Sequence, residues 1–233
     1  HRLVVAYRGR GRIYQAGEVI FYRNAPGSSM FAIAKGSVAV EVNAADPSQT
    51  VPITQGSIFG EVGLISGRKR GSTIRAAEEV LAVELSRNAA LKLLATSTGA
   101  NRPVEKISIE RQLLQMFGAG LKSADISELV DKAEVVSAKA GQKIVEEGAD
   151  DKDIFIVRSG SMIVEKEIGG RPVFLSYMPA GSYFGEMAVI DGSKRTATVK
   201  AAIKSELIKL PGSEFLELLK RKPKVQETAL NEM

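Results

Sequence analysis

Apolar and polar residues alternate with a period near two over most of the first 86 positions, and clusters of Gly, Pro, Asn and Ser cut the alternation into short pieces. Ala16-Gly17 predicts a turn into a strand that ends at Phe21. Residues 24–29 predict a second turn, and 30–34 and 37–42 predict strands on either side of Gly36. A polar loop is expected over 43–49, where Pro47 falls, before the alternation resumes over Thr50–Thr54 and 72–85. Many short strands with Gly-rich turns point to a sandwich or a barrel. From Arg87 the period lengthens. Residues 87–95, 104–117 and 123–133 carry apolar side chains at helical spacing, with a break over 96–103 at Gly99 and Pro103 and a cap expected from Ser123. Gly212–Arg221 is again helical, Pro223 interrupts it, and 224–233 begin a last helix.

The second half repeats the first. Ala140-Gly141 and the strand 154–160 follow Ala16-Gly17 and 30–36 at an offset of 124 residues. Gly148 stands where the first copy has Asn24, the commonest non-Gly residue in a left-handed turn. The longest match pairs Phe59-Gly-Glu-Val-Gly-Leu-Ile-Ser-Gly-Arg-Lys-Arg with Phe184-Gly-Glu-Met-Ala-Val-Ile-Asp-Gly-Ser-Lys-Arg, at an offset of 125. Two copies at so long a period indicate tandem domains. The expected division is a first domain over 1–103, a helical linker over 104–133, and a second domain over 134–233.

In physical terms each long match describes an anion site. A Gly permits close approach of the backbone, and a one-turn helix offers N–H groups without internal acceptors. The Arg supplies a permanently charged fork for phosphate, and the Glu nine residues earlier is an acceptor for a hydroxyl. The plainer alternative is a strand–turn–strand in which Arg and Glu pair with each other; its recurrence in both copies weighs against that.

Composition narrows the chemistry. The chain has 44% hydrophobic and 25% charged residues, as a folded globular protein does. Without cysteine it holds no disulfide and no thiolate metal site, which agrees with a reducing, cytoplasmic location. Its single histidine is His1, so neither a Ser-His nor a Cys-His constellation exists, and no catalysis is expected in this segment. A net charge of +5 favours an anionic ligand without calling for nucleic acid. No apolar run approaches the roughly 20 residues that span a bilayer. Arg68-Lys69 reads as a solvated turn beside the phosphate Arg70, and Arg8-Gly-Arg-Gly-Arg12 as a basic surface turn. Asp150, Asp151 and Asp153 lack the Gly and terminal Glu of a calcium loop.

These motifs closely resemble the cyclic nucleotide-binding domain family. The shared features are Phe-Gly-Glu, a Gly six and an Arg nine residues beyond the Glu, and a following Thr-Ile/Val-Lys/Arg-Ala strand. The likeness covers both halves, and the tandem layout is similar to the regulatory subunits of cyclic-nucleotide-dependent protein kinases. It implies a mainly β fold: two eight-stranded jelly-roll β-barrels in tandem with flanking helices, joined by the helical linker. It further implies phosphate-binding cassettes over 59–74 and 184–199. In the first cassette the implied ligand residues are Phe59, Gly60, Glu61, Val62, Gly63 and Leu64, then Arg70, Gly71 and Ser72. In the second they are Phe184, Gly185, Glu186, Met187, Ala188 and Val189, then Arg195, Thr196 and Ala197. Arg70 and Arg195 take the phosphate, and Glu61 and Glu186 the ribose 2′-hydroxyl. Thr196, directly after the Arg, is where cGMP-preferring members bond guanine, whereas Gly71 offers no hydroxyl there unless Ser72, the next residue, reaches the base.

The implied ligand is cAMP or cGMP, with no cofactor and no metal. The implied partner is an effector reached through the adjoining helices, with Leu64 and Ile65, or Val189 and Ile190, relaying the movement. The family's base-capping lid after the second barrel is expected to be short, as in a fragment. The principal rival is a ligand-independent interaction or dimerisation scaffold of the same fold. A transcription factor of the cAMP-receptor class requires a helix-turn-helix that neither the linker nor the tail supplies.

Overall fold

The computed structural model describes residues 9–41, 46–96, 101–117 and 121–226, and the chain divides into two compact units, His1–Glu105 and Lys106–Met233. Each unit has eight strands among the described residues. In the first they are β1 (Arg10–Tyr14), β2 (Val19–Phe21), β3 (Ser29–Lys35), β4 (Ser37–Glu41), β5 (Thr50–Thr54), β6 (Ile58–Phe59), β7 (Ile74–Ala76) and β8 (Val80–Ser86). They form two four-stranded antiparallel sheets, ordered β1-β8-β3-β6 and β2-β7-β4-β5. The second unit has β9 (Glu134–Ala138), β10 (Lys143–Val145), β11 (Ile154–Ser159), β12 (Ser161–Ile168), β13 (Arg171–Pro179), β14 (Tyr183–Phe184), β15 (Thr198–Ala201) and β16 (Ser205–Leu210). Its sheets run β9-β16-β11-β14 and β10-β15-β12-β13, the same order shifted by eight strands. The fold is mainly β, two jelly-roll domains in tandem.

The helices are α1 (Glu61–Ser66), α2 (Arg87–Thr96), α3 (Asn101–Phe117), α4 (Ser123–Lys132), α5 (Glu186–Ile190) and α6 (Gly212–Arg221). α3 begins at Asn101, upstream of the break expected at Pro103. Proline is tolerated there because N–H groups in a first helical turn have no intrahelical acceptor to lose. Ser123 does not cap α4. The N-cap is Lys122, and the Asp125 carboxylate accepts from its N–H at 2.9 Å. Residues 10–14, expected as part of a basic surface turn, form a strand along β8, with Arg12 Nε 3.1 Å from Glu84. Residues 43–45, Gly99 and 227–233 lie outside the described residues. Residues 223–226 form a helical turn.

Alternation places the cores. Between the sheets of the first unit lie Phe31, Ile33, Val38, Phe59, Ile74, Val80 and Ala82. The corresponding core of the second has Phe155, Val157, Met162, Phe184, Val199 and Leu207. A further cluster in the second unit joins the barrel to its helices: Phe117 of α3, Ile126 and Leu129 of α4, Ile208 of β16 and Phe215 of α6 pack together with Val189 of α5. Phe117 lies edge-on to Phe215 at 5.5 Å and tilted to Tyr183 at 5.3 Å. In the first unit Leu64 and Ile65 of α1 pack with Met30, Leu85 and Ala90. Each cassette helix thus presents its apolar face to a neighbouring element of its own unit.

Candidate functional site

Both cassettes are built by one device. The short strands β6 and β14 end at Phe59 and Phe184, whose rings stack on Phe31 at 5.0 Å and Phe155 at 5.3 Å and are buried. The next residue turns the chain left-handed, with φ 82° at Gly60 and 97° at Gly185. Glycine is required there twice over: only it adopts such a φ without strain. A Cβ would also fall 2.7 Å from Arg70 Nη1, or 2.5 Å from Arg195 Nη1. The turn opens α1 and α5, whose first N–H groups have no intrahelical acceptor.

The arginines return to the same place from the far end of each cassette. Arg70 and Arg195 are both 4% exposed. Arg70 Nη1 donates to Gly60 O at 2.6 Å, and Arg195 Nη1 to Gly185 O at 3.0 Å. Nη2 donates to Ser29 O in the first barrel and to Asp153 O in the second, both at 2.6 Å. Each loop upstream is tied to the same residue: Asn24 N–H donates to Arg70 O and Gly148 N–H to Arg195 O, each at 2.8 Å. Asn24 has φ 66° and Gly148 φ 82°, so the turn survives the substitution.

The second barrel contains a cavity of about 460 Å³ beside this arginine, within the usual range for small-molecule sites. Phe184, Gly185, Glu186, Met187, Ala188, Arg195, Thr196 and Ala197 line it. Val189 faces the other way, into the cluster with Phe215. The remaining walls come from residues with no mark in the sequence: Val145, Val164, Ser176, Met178, Gly181, Ser182, Tyr183 and Val199.

Charge is distributed unevenly. Arg195 Nε donates to Asp151 Oδ2 at 3.0 Å, and Nη2 reaches the same oxygen. Nη1 keeps a second N–H that its bond to Gly185 does not use. Glu186 Oε2 is buried without a hydrogen-bond partner. Burial pushes the Glu186 carboxyl above its ordinary value, opposed by its own backbone N–H and by the Arg195 charge. A buried acceptor without a partner beside a buried cation suits a ligand that carries a hydroxyl and an anion. Asp151 is the partner of Arg195 that the sequence pattern did not mark, since it sits between the acidic Asp150 and Asp153.

In the first barrel Glu61 is 1% exposed, with Leu64 and Phe59 buried and Val62 partly so. Gly63 packs beneath Gly27, while Gly71 is exposed and Ser72 half-buried. Arg70 Nε is buried without a partner, and the guanidinium carbon lies 4.2 Å from the centre of the Phe21 ring. Burial draws the Arg70 guanidinium below its ordinary value, opposed by Glu61 and Glu84. Among the described residues no group of three His, Cys, Asp or Glu side chains is placed to hold a metal, and no helix is long and apolar enough to cross a membrane.

A family profile described as "Cyclic nucleotide-binding domain" matches residues 11–97 and 135–222. The cAMP-dependent protein kinase regulatory subunit of Mucor circinelloides f. lusitanicus is 29% identical over 164 residues, which cover 70% of this chain. They cover 38% of that relative, so the chain spans well under half its length. Among solved structures, the regulatory domain of Toxoplasma gondii PKA crystallised with cAMP superposes with a TM-score of 0.50 at 20% identity, over 97% of this chain and 86% of the other. The regulatory subunit of a cAMP-independent protein kinase A from Trypanosoma cruzi, bound to guanosine, gives 0.48 at 19% identity, over 94% and 75%. At these identities the structural likeness is one of fold.

Proposed function

This chain belongs to the cyclic nucleotide-binding domain family, and from that premise we propose that it is the ligand-sensing part of a regulatory protein. Its ligand is a purine nucleoside 3′,5′-cyclic phosphate. The observation that carries this reading is the cavity of the second barrel, with a buried Arg195 at one wall and the unpartnered Glu186 Oε2 at another. The exocyclic oxygens of the cyclic phosphate, which share one negative charge, are held by the second N–H of Arg195 Nη1 and by backbone N–H groups around Ala188. The ribose 2′-hydroxyl donates to Glu186, and the base lies along Val145, Val164 and Met178. The same residue types in the first barrel, from Phe59 to Leu64 and from Arg70 to Ser72, make a second site of the same kind. The functional division we propose follows the repeat, with domains over 1–103 and 134–233 and a helical linker over 104–133.

Val189 supports a relay within the second unit. It stands on the cassette, yet it packs in the cluster that holds Phe215 of α6, and a Cβ at Gly212 would come 3.0 Å from its Cγ2. Inward movement of α5 toward a bound phosphate draws on that contact and shifts α6, which is how ligand binding is passed to an effector. Coupling of this kind requires that the two positions of α6 bind ligand with different affinity. The segment itself contributes no catalysis.

The test is equilibrium unfolding with and without cyclic nucleotide. At 100 times its Kd, a ligand confined to the folded state adds about 2.7 kcal/mol of stability. A rise of that size with cAMP or cGMP, and none with the 5′-monophosphate at equal concentration, supports the reading. No change with either cyclic nucleotide at millimolar concentration favours a scaffold of the same fold.

A further inference from the structure

The two arginines are held by the same backbone carbonyls but completed by different groups, and the difference centres on Phe21. The offset of 124 residues that matches Asn24 to Gly148 and Ser29 to Asp153 matches Phe21 to Val145 and Gly27 to Asp151. The strand registers agree, since Phe21 of β2 pairs with Ile74 and Val145 of β10 pairs with Val199. In the second barrel Asp151 engages the edge of the guanidinium, and Val145 forms part of the cavity wall. In the first barrel the acidic position is Gly27. A Cβ there would come within 2.9 Å of the Gly63 and Arg68 carbonyl oxygens, so no acidic side chain fits.

Arg70 therefore has no carboxylate at that edge, and its Nε is left buried without an acceptor. Phe21 supplies the compensation. Its ring covers the guanidinium at 4.2 Å, close enough for attraction between cation and ring face. It is braced by Phe31 at 5.9 Å and Phe59 at 6.0 Å, and its Cε1 lies 3.4 Å from where a Cβ of Gly60 would stand.

We infer that the first cassette is occupied by its own chain: the Phe21 ring stands over Arg70 at the position through which a cyclic phosphate would approach, so that ligand enters only when the ring swings away. This rests on the cyclic-nucleotide reading and makes the two sites unequal. The second is open as built; the first carries a penalty equal to the rarity of its open state. Phe21 touches the phosphate-binding group and sets the affinity of that site without itself being a ligand residue.

The test is calorimetric titration of the whole chain with cAMP. Arg195→Ala silences the second barrel, so that its remaining heat reports on the first. Adding Phe21→Val, which restores the residue type found at 145, is expected to tighten that remaining binding by about tenfold or more, the scale set by losing a cation–ring contact together with a closed population. Phe21→Leu, closer to the native volume, is expected to tighten it less and guards against loss of the fold, which circular dichroism checks. Equal or weaker binding in folded Phe21→Val and Phe21→Leu overturns the inference, because the ring would then be a neutral or favourable wall. Arg70→Ala alone reports on the second barrel. If that variant binds cAMP while the Phe21 variants gain nothing, the gate fails and the sensor stands. If neither it nor the intact chain binds cAMP or cGMP, the sensor reading fails and takes the gate with it.

Discussion

Gly185 O accepts from Arg195 Nη1 at 3.0 Å, and a Cβ on residue 185 would stand 2.5 Å from that same nitrogen. One missing methyl group thus lets the backbone serve as acceptor for the buried arginine. Gly185→Ala must either push the guanidinium away or bend a backbone already at φ 97°. It is expected to cost about 1–3 kcal/mol of stability and to weaken cyclic nucleotide binding at the second barrel by about tenfold or more. Urea unfolding and titration in the Arg70→Ala background measure the two effects separately.

Thr196 lines the cavity directly after Arg195, whereas the first barrel has Gly71 after Arg70. We propose its hydroxyl as the acceptor for the 2-amino group that guanine has and adenine lacks. Thr196→Ala should lower the preference for cGMP over cAMP by about three- to tenfold, the worth of one net hydrogen bond. Affinities for both nucleotides in the Arg70→Ala background decide it, and an unchanged ratio removes the hydroxyl from the account.

Glu186 ties pH to both stability and binding. Burial raises its folded value, so its contribution to stability is fully present below the ordinary carboxyl value and is lost as pH rises through the raised one. Replacing it with the neutral isostere removes that loss. Glu186→Gln should therefore gain stability relative to the native chain as pH rises through that window, while binding the ribose hydroxyl more weakly at neutral pH. Urea midpoints at pH 4 and pH 7 for both proteins measure the first part, and a difference that shrinks with rising pH would contradict it.

Phe117 tests which unit owns α3. The ring is 1% exposed between Tyr183 and Phe215. Phe117→Ala is expected to cost about 3–5 kcal/mol, read as a lower urea midpoint for the second unit. A loss below about 1 kcal/mol would mean that α3 is a dispensable linker.

Much of this was legible in the sequence because certain positions accept few residue types. The left-handed turns at Gly60 and Gly185, and the buried fork of Arg70 and Arg195, recur at fixed spacing and mark both cassettes. Alternation located strands such as Thr50–Thr54, and helical spacing located Gly212–Arg221. Features made by tertiary approach left no local trace. The walls at Val145, Val164 and Met178 come from three strands and read as ordinary β residues. Asp151 lay hidden in an acidic loop, and the capping of α4 by Asp125 rather than Ser123 depends on the backbone angle at Lys122. Pro103 read as a break and proved compatible with a first turn. Phe21 is, in the sequence, one more apolar strand residue, and its contact with Arg70 is made only by the fold.

The most direct measurement is calorimetric titration of the intact chain and of Arg195→Ala with cAMP and with cGMP. Saturable binding by the intact chain is expected in the range of a few charge-assisted hydrogen bonds and a buried base, about micromolar. Arg195→Ala is expected to abolish the tighter of any two phases. Binding that is unchanged in Arg195→Ala, or no heat from either nucleotide together with no thermal shift at millimolar concentration, would contradict the cyclic-nucleotide reading.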